Sequence, residues 1–472
     1  MIGGYSPEAL RLPMHSYQQK VAYWTLERIF EKKKPGAGVF LDPGLGKTRT
    51  TLAVLDFLFQ VGAIRKALIV GPLRPVYSVW PVEIKRWGFP QTWQILHGKT
   101  AANLKADAQI ELMNFDSLHK IIDQENRWDV IVLDESTYIK NWSTNRTKNV
   151  KKLIKSIPSR VLLTGTPASN SLADLFPQLY VIDNGEALGK NVTSFRRNFC
   201  RPSGQAQWNK WTVRREDQKR IQEAIKDKVI RLQAEDYLDM PDLIFNDVWI
   251  DLDAKPLAQY RKLKRELFAQ LESGDVWAGS AAAAYGKCRQ FANGHVYGVD
   301  DGDGERAVHV AHKEKIRALF EVHEELAGKP LLIFYHFKHD LAQIQKGIGS
   351  ERPFKKCPVI RGGMKPQEVE KILDKWNAGK YHAILAQWQA ASHGLNMQGA
   401  CNDVACFGVV DSLETFEQAY RRVYRQGVSG GQVRIHRLLC RETVDEVMLE
   451  RLNGRHQTQT EFLGALKKHA KT

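Results

Sequence analysis

The residues at 39 to 48, VFLDPGLGKT, carry the densest chemical signal in the chain. A short apolar run turns through Pro43, Gly44, Leu45 and Gly46 into Lys47 and Thr48, and the residues that follow, RTTLAVLDFLF, continue as a helix ending near Gly62. Glycine at two turn positions lets backbone N–H groups approach an anionic oxygen without a Cβ in the way, and the amino end of a helix adds a favourable dipole. Lys47 then stands where an ammonium neutralises β- and γ-phosphate oxygens, and the Thr48 hydroxyl where it ligates magnesium. The strict phosphate-loop pattern asks for glycine at position 41; this chain has Leu41, so the match is to the G-K-T half. A second signal is DVIVLDES at 129 to 136, where four apolar residues run into Asp134 and Glu135. Adjacent carboxylates at the end of a buried strand are costly unless they hold a cation or activate water. Asp134 is assigned to magnesium and Glu135 to polarising the attacking water. A D-E pair alone is common on solvated turns; downstream of a phosphate loop the functional reading takes over.

These groups need a scaffold that ends its strands beside them. Two regions alternate short apolar runs with amphipathic helical segments, the pattern of a parallel α/β sheet. In the first, from about residue 15 to 185, strands are expected at Val39 to Leu41, Ala67 to Val70, Val130 to Leu133 and Val161 to Leu163. In the second, from about 310 to 450, they are expected at Leu331 to Tyr335, Val359 to Ile360, Ala383 to Leu385, Val404 to Val410 and Val433 to Leu438. Ligands bind at the carboxyl ends of parallel strands, which is where the unusual residues fall. Residues 190 to 310 are more basic and helical, and read as insertions protruding from two lobes. The expected division is 1–245, a first lobe with a helical protrusion at about 190–240, and 246–472, a second lobe with a helical insertion at about 254–310.

A length of 472 residues with 43% hydrophobic content fills two or three cores, and a formal charge of +16 favours a polyanionic partner. The longest apolar runs fall far short of the ~20 residues that cross a bilayer, so no membrane role is expected, and the first residues carry no signal- or transit-peptide pattern. Six scattered cysteines without a C-x-x-C pair predict free thiols, and the spaced pairs His309/His312 and His336/His339 lack the further ligands of a zinc site.

In order, the motifs resemble those of the Swi/Snf-like ATPases of helicase superfamily two, over nearly the whole chain. MHSYQQ near the start is similar to an adenine-reading Q motif, placing Gln18 on the base with Tyr17 beside it; the segment at 71 to 87 resembles motif Ia; LDESTYIKN at 133 to 141 resembles an extended motif II; LTGTP at 163 to 167 resembles motif III. PLLIFYHF resembles motif IV. AILAQWQAASHGLNMQGA resembles motif V, with Gly394, Leu395 and Asn396 at its G-L-N core, and QAYRRVYRQG at 418 to 427 resembles motif VI, with Gln418, Arg422 and Arg425 in the family positions. Two departures stand out: Thr137 where much of the family has histidine, and Gln389, Ser392 and His393 in motif V where basic and glycine residues are frequent.

The resemblance implies two tandem RecA-like parallel-sheet lobes with helical insertions, ATP and Mg2+ as cofactors, and hydrolysis coupled to movement along nucleic acid. Catalysis is assigned to Lys47, Asp134, Glu135, Arg422 and Arg425, the two arginines stabilising charge on the transferred phosphate. Nucleotide contact is assigned to Gln18, Pro43, Gly44, Leu45, Gly46, Lys47, Thr48, Gly394 and Asn396, and magnesium to Thr48 and Asp134. Arg74, Trp80, Lys140, Arg146 and Trp388 are the candidate nucleic-acid contacts, with Arg214, Arg215, Lys219 and Arg220 as basic-helix contributors, although Trp80 lies among apolar neighbours that suit a core. The expected partner is DNA, duplex before single-stranded, bound through its phosphates. The expected setting is a monomer in a bacterial or phage-infected cytoplasm, with replication, recombination or nuclease partner proteins. A strand-separating DNA or RNA helicase and an ATP-gated clamp or recruitment module are the alternative readings.

Overall fold

Aliphatic runs covered on both faces become central parallel strands, and the first sheet of this computed structural model is made of them. The structure describes residues 10, 13–96, 108–168, 171–202, 211–272, 278–298, 307–391, 395, 397–428 and 431–454. Two units meet between Leu238 and Asp239. The first contains strands β1 (Gly36–Leu41), β2 (Ala67–Gly71), β3 (Trp93–Ile95), β4 (Ile110–Asn114), β5 (Val130–Asp134), β6 (Ser159–Thr164), the hairpin β7 (Cys200–Pro202) and β8 (Trp211–Val213), and β9 (Val229–Leu232). Its helices are α1 (Ser16–Leu26), α2 (Lys47–Gln60), α3 (Trp80–Arg86), α4 (Asn145–Leu153), α5 (Leu175–Asp183), α6 (Val192–Phe199) and α7 (Gln218–Ile225). The seven-stranded sheet runs β3-β4-β2-β5-β6-β1-β9, parallel throughout. Motifs Ia, II, III and the phosphate loop follow β2, β5, β6 and β1, four neighbours in that order. The carboxyl ends of these strands therefore gather segments up to 123 residues apart in the chain, from Leu41 to Thr164.

The second unit has strands β10 (Asp242–Ile250), β11 (His295–Tyr297), β12 (Val308–Val310), β13 (Leu331–Tyr335), β14 (Val359–Ile360), β15 (Ala383–Gln387), β16 (Asp403–Cys406) and β17 (Gln432–Cys440). Its helices are α8 (Ala254–Glu272), α9 (Ala278–Ala292), α10 (Glu314–Glu325), α11 (Lys338–Lys346), α12 (Pro366–Asn377), α13 (Trp388–Ala391) and α14 (Leu413–Tyr420). Its parallel sheet runs β10-β17-β16-β13-β15-β14. The two RecA-like sheets with helices around them are the expected fold.

Two differences concern the region read as helical insertions. It also contains β9 and β10, strands of the two sheets. β10 is half-exposed and polar-interrupted along DLIFNDVWI because it is an edge strand, and β9 is a four-residue edge strand whose VIRL includes an arginine. Neither offers the long aliphatic signature of a central strand. The run at 404 to 410 stops being strand at Cys406, since β16 hydrogen-bonds only that far.

One network of buried charge in the second unit centres on Lys315. Lys315, fully buried, donates to Asp445 Oδ2 at 2.6 Å and to Asn293 Oδ1 at 3.0 Å, and Asn293 Nδ2 donates to Asp340 Oδ2 at 3.1 Å. Asp340 accepts from the backbone N–H groups of His336 and Phe337 at 3.1 and 2.8 Å, capping α11, and its other oxygen lies 3.6 Å from His295 Nδ1. Each ion is paired or hydrogen-bonded, as burial requires. Among the described residues no helix is long and apolar enough to cross a membrane.

Candidate nucleotide site and nucleic-acid contacts

The phosphate loop leaves β1 through a buried Asp42 and enters α2 at Lys47. Gly44 and Gly46 have φ of +94° and +76°. At Gly46 a side chain would be strained by the backbone and would have to displace the Gln18 amide, whose Nε2 would stand 2.3 Å from its Cβ. The Gln18 amide donates to the Leu45 carbonyl at 3.2 Å and its oxygen accepts from His15 N at 3.2 Å, so the Q-motif glutamine lies against the loop. Tyr17 packs its ring 5.1 Å from Tyr237. Pro43 is half-buried, Gly44 exposed and Leu45 buried; Thr48 is half-buried in the first turn of α2.

Lys47 Nζ donates to the Leu41 carbonyl at 2.9 Å. Burial pulls its ammonium below the usual lysine range, and the carboxylates of Glu135, Asp134 and Asp42 pull the other way. The lysine and both motif II acids therefore share one electrostatic site. Asp134 ends β5, buried, with Oδ2 accepting from Trp80 Nε1 at 2.9 Å. Burial pushes this carboxyl above its ordinary range, opposed by the Trp80 hydrogen bond and by Lys47. Glu135 follows in the left-handed region, φ 54° and ψ 62°. Few non-glycine residues adopt it, and such strain concentrates at functional positions.

Three further groups hold this arrangement, and two of them, Arg231 and Gln178, were not singled out by the sequence. Arg231 on β9 pairs with Asp42, Nη2 to Oδ1 at 2.5 Å, and donates to the Phe40 carbonyl at 3.1 Å; both side chains are almost fully buried. It pins the base of the phosphate loop to the sheet edge. Gln178 on α5 accepts from Ser136 Oγ at 2.7 Å and donates to the carbonyls of Pro167 and Asp174 at 2.7 and 2.9 Å. It bridges motif II to motif III. Gly165 lies so close to the phosphate loop that a Cβ there would meet Pro43 Cδ at 3.1 Å and the Leu41 carbonyl at 3.2 Å. The available signals were a lone arginine in VIRL and a lone glutamine in LFPQLYVI, polar residues inside apolar runs.

In the second unit, α14 ends at Tyr420, so Arg422 and Arg425 lie on the turn that follows and not on a helical face. Both are half-buried. The Arg422 carbonyl accepts from Met397 N at 3.2 Å, tying motif VI to motif V, and Arg425 Nε donates to the Arg421 carbonyl at 3.0 Å. Burial lowers the Arg425 guanidinium from its ordinary value. Gly394 and Asn396, with Ser392 and His393, lie outside the described residues; Leu395 between them is buried.

Two tryptophans assigned to nucleic acid are corrected. Trp80 is fully buried and spends its indole N–H on Asp134, so it orients the Asp134 carboxylate. Trp388 is fully buried, stacks on Phe334 with centroids 4.6 Å apart and donates to the Gly408 carbonyl, so it is core. Burial leaves no face of either ring for a base. Arg74 sits half-buried at the start of the helical segment after β2, and Lys140 half-exposed at the end of the motif II turn. Arg146 forks onto Asp116 at 2.6 and 3.1 Å, and Arg214 and Arg220 both pair with Asp217, so three of the candidate cations already have carboxylate partners. Arg215 and Lys219 are exposed.

A phosphate loop, a D-E pair and a T-G-T-P turn on adjacent strand ends of one RecA-like lobe, followed by a second such lobe, define an ATP hydrolase of the helicase superfamily two class. Comparison with known proteins agrees: the SNF2-related domain matches residues 17–290 and the helicase conserved C-terminal domain residues 314–427. The chain belongs to the SNF2-related family. It is 31% identical over 454 residues to protein p41 of Acyrthosiphon pisum secondary endosymbiont phage 1, covering 92% of this chain and 95% of that one. It is 24% identical over 465 residues to the ATP-dependent helicase/translocase YwqA of Bacillus subtilis (strain 168), covering 93% of this chain and 48% of YwqA, so it spans about half the length of that relative. The Sulfolobus solfataricus SWI2/SNF2 ATPase core in complex with dsDNA aligns over 99% of this chain and 96% of its own, at 23% identity and a TM-score of 0.46.

Proposed function

We propose that this chain couples ATP hydrolysis to movement along double-stranded DNA, gripping phosphates and reading no sequence. The observation that carries the reading is the convergence of Lys47, Asp134 and Glu135 on one site whose loop touches motif III at Gly165 and whose acidic turn is bridged to motif III by Gln178. In that arrangement a change at the γ-phosphate is transmitted to segments that lie outside the nucleotide site.

The donors present suit magnesium, which prefers hard oxygen ligands: a buried carboxylate on Asp134 and the hydroxyl of Thr48. When bound, the ion would neutralise charge on the β- and γ-phosphates. Lys47 supplies a second positive charge, exchanging the Leu41 carbonyl for phosphate oxygen. Glu135 polarises the attacking water, and Trp80 keeps the Asp134 carboxylate in place. On the family pattern Arg422 and Arg425 stabilise the transferred phosphoryl group, which makes hydrolysis depend on the second lobe. YwqA's name as a helicase/translocase and the dsDNA bound by the Sulfolobus core accord with a duplex track. The phage origin of p41 accords with work in a bacterial or phage-infected cytoplasm. We take the motor to act as a monomer, with replication, recombination or nuclease proteins as partners.

The test is ATP hydrolysis by the purified chain alone and with duplex DNA, single-stranded DNA or RNA, with Glu135→Gln as control. Stimulation chiefly by duplex, absent in the control, is expected. Stimulation chiefly by single strands would favour a strand-separating helicase, and no hydrolysis under any condition would overturn the motor reading.

A further inference from the structure

Helix α4 follows motif II and, among the helices of the described residues that lack acids, is the most densely basic, with Arg146, Lys148, Lys151 and Lys152 in nine residues. From Ser136 to Ala173 the sequence contains no aspartate or glutamate but seven basic residues, four of them Lys148, Lys151, Lys152 and Lys155. By contrast α10 and α12 interleave both signs, EKIRALFEVHEE and PQEVEKILDKWN. α4 buries Thr147, Val150 and Leu153 against the first lobe, leaving Lys148, Lys152 and Lys155 exposed on the opposite side. The backbone continues helically past Leu153, with Lys155 N bonded to the Lys152 carbonyl, so spacings of four and three residues align the exposed lysines on one face.

None of the four lysines has a carboxylate partner among the described residues, while Arg146 at the start of the same helix is neutralised by Asp116. Lys151 folds back over Trp142 at 3.4 Å, and burial together with the charges of Lys148 and Lys155 lowers its ammonium from the ordinary range. Like charges three and four residues apart destabilise a helix by ~0.2–0.5 kcal/mol per pair. The helix dipole favours cations in its last turn, which accounts for Lys151, Lys152 and Lys155 singly but asks for neither Lys148 nor a complete absence of acids.

We propose that the lysine face of α4 binds the phosphate backbone of the DNA on which the motor works, as a contact additional to the motif residues; this rests on the reading above. Lys148 to Lys155 spans roughly 10 Å of helix axis, about the axial rise of three nucleotides in one strand. Lysine ammonium groups are compact point charges that fit sequence-independent phosphate contact better than the bidentate reading of a base edge.

The experiment is equilibrium binding of the full chain to a fluorescent duplex across a salt series, comparing wild type with Lys148→Gln/Lys152→Gln/Lys155→Gln and with the matching triple substitution to arginine. Each lost phosphate contact lowers the slope of log affinity against log salt by ~0.9, so the glutamine triple is expected to be shallower by about 2 to 3, the arginine triple unchanged, and hydrolysis without nucleic acid unaffected in both. Lys148→Gln alone, away from the helix end, is expected to lower the slope by about 1 and guards against a folding defect in the triple. Wild-type binding with the same slope in the glutamine variants would overturn the proposal and leave the face to solvent or an acidic protein. Failure of wild type itself to bind duplex would instead remove the reading on which it rests.

Discussion

Glu135 holds a left-handed backbone that costs a non-glycine residue about 1 kcal/mol or more. The fold keeps it because the carboxylate must point from the end of β5 toward the phosphate loop. Glu135→Gln is expected to reduce hydrolysis by at least about 10²-fold, the lower range for loss of a general base, while nucleotide binding measured by fluorescent-analogue titration is retained. Arg231 makes a different demand. It and Asp42 are a buried pair, and removing one partner of such a pair costs about 3–5 kcal/mol because the other charge is stranded. Arg231→Met should therefore lower the denaturation midpoint strongly, and Asp42→Asn added to it should recover part of the loss. Chemical denaturation of the four variants in the cycle checks this, and equal stability of the single and double mutants would contradict it.

At the scale of elements, Gln178 on α5 is the joint between the acidic turn and the T-G-T-P turn. Gln178→Leu should keep most hydrolysis in the absence of DNA yet lose most of the stimulation by duplex, read from rates with and without DNA. In the second unit His295 and Asp340 make opposing demands across 3.6 Å. Burial pulls His295 from 6.5 to about 3, so its contribution to stability is present above pH 6.5 and is lost as pH falls through the range below. Burial pushes Asp340 from 3.8 to about 6, so its contribution is present below pH 3.8 and is lost as pH rises through 6. Between pH 6 and 4 the two slopes, each up to ~1.4 kcal/mol per pH unit, cancel. Relative to wild type, Asp340→Asn should lose stability as pH falls through this window and His295→Gln should gain it; pH-dependent unfolding curves test the signs. The central strands, the phosphate loop and the acidic pair were legible because aliphatic runs and glycine–lysine or paired-carboxylate endings are local patterns. The edge strands β9 and β10 were not, since β9 is a buried run of four residues broken by an arginine and β10 is half-exposed and interrupted by polar residues. Trp80, Trp388, Arg231 and Gln178 were misread or missed because their roles come from partners 20 to 189 residues away in the chain.

For the whole molecule, a formal charge of +16 on 472 residues sets strong salt-dependent attraction to any polyanion. Electrostatic attraction alone would give binding without turnover. A motor requires that attraction to be coupled to the nucleotide site, and the Gly165 and Gln178 links supply a physical route within the first lobe. The second unit carries its own parallel sheet and the two arginines, so turnover in this account needs both lobes. The most direct test is displacement of a third strand from a short triplex placed on a linear duplex. The account predicts that ATP drives displacement by the wild-type chain without separating the duplex strands, and that neither Glu135→Gln nor a non-hydrolysable nucleotide supports it. Displacement without ATP hydrolysis, or none despite duplex-stimulated hydrolysis, would contradict it.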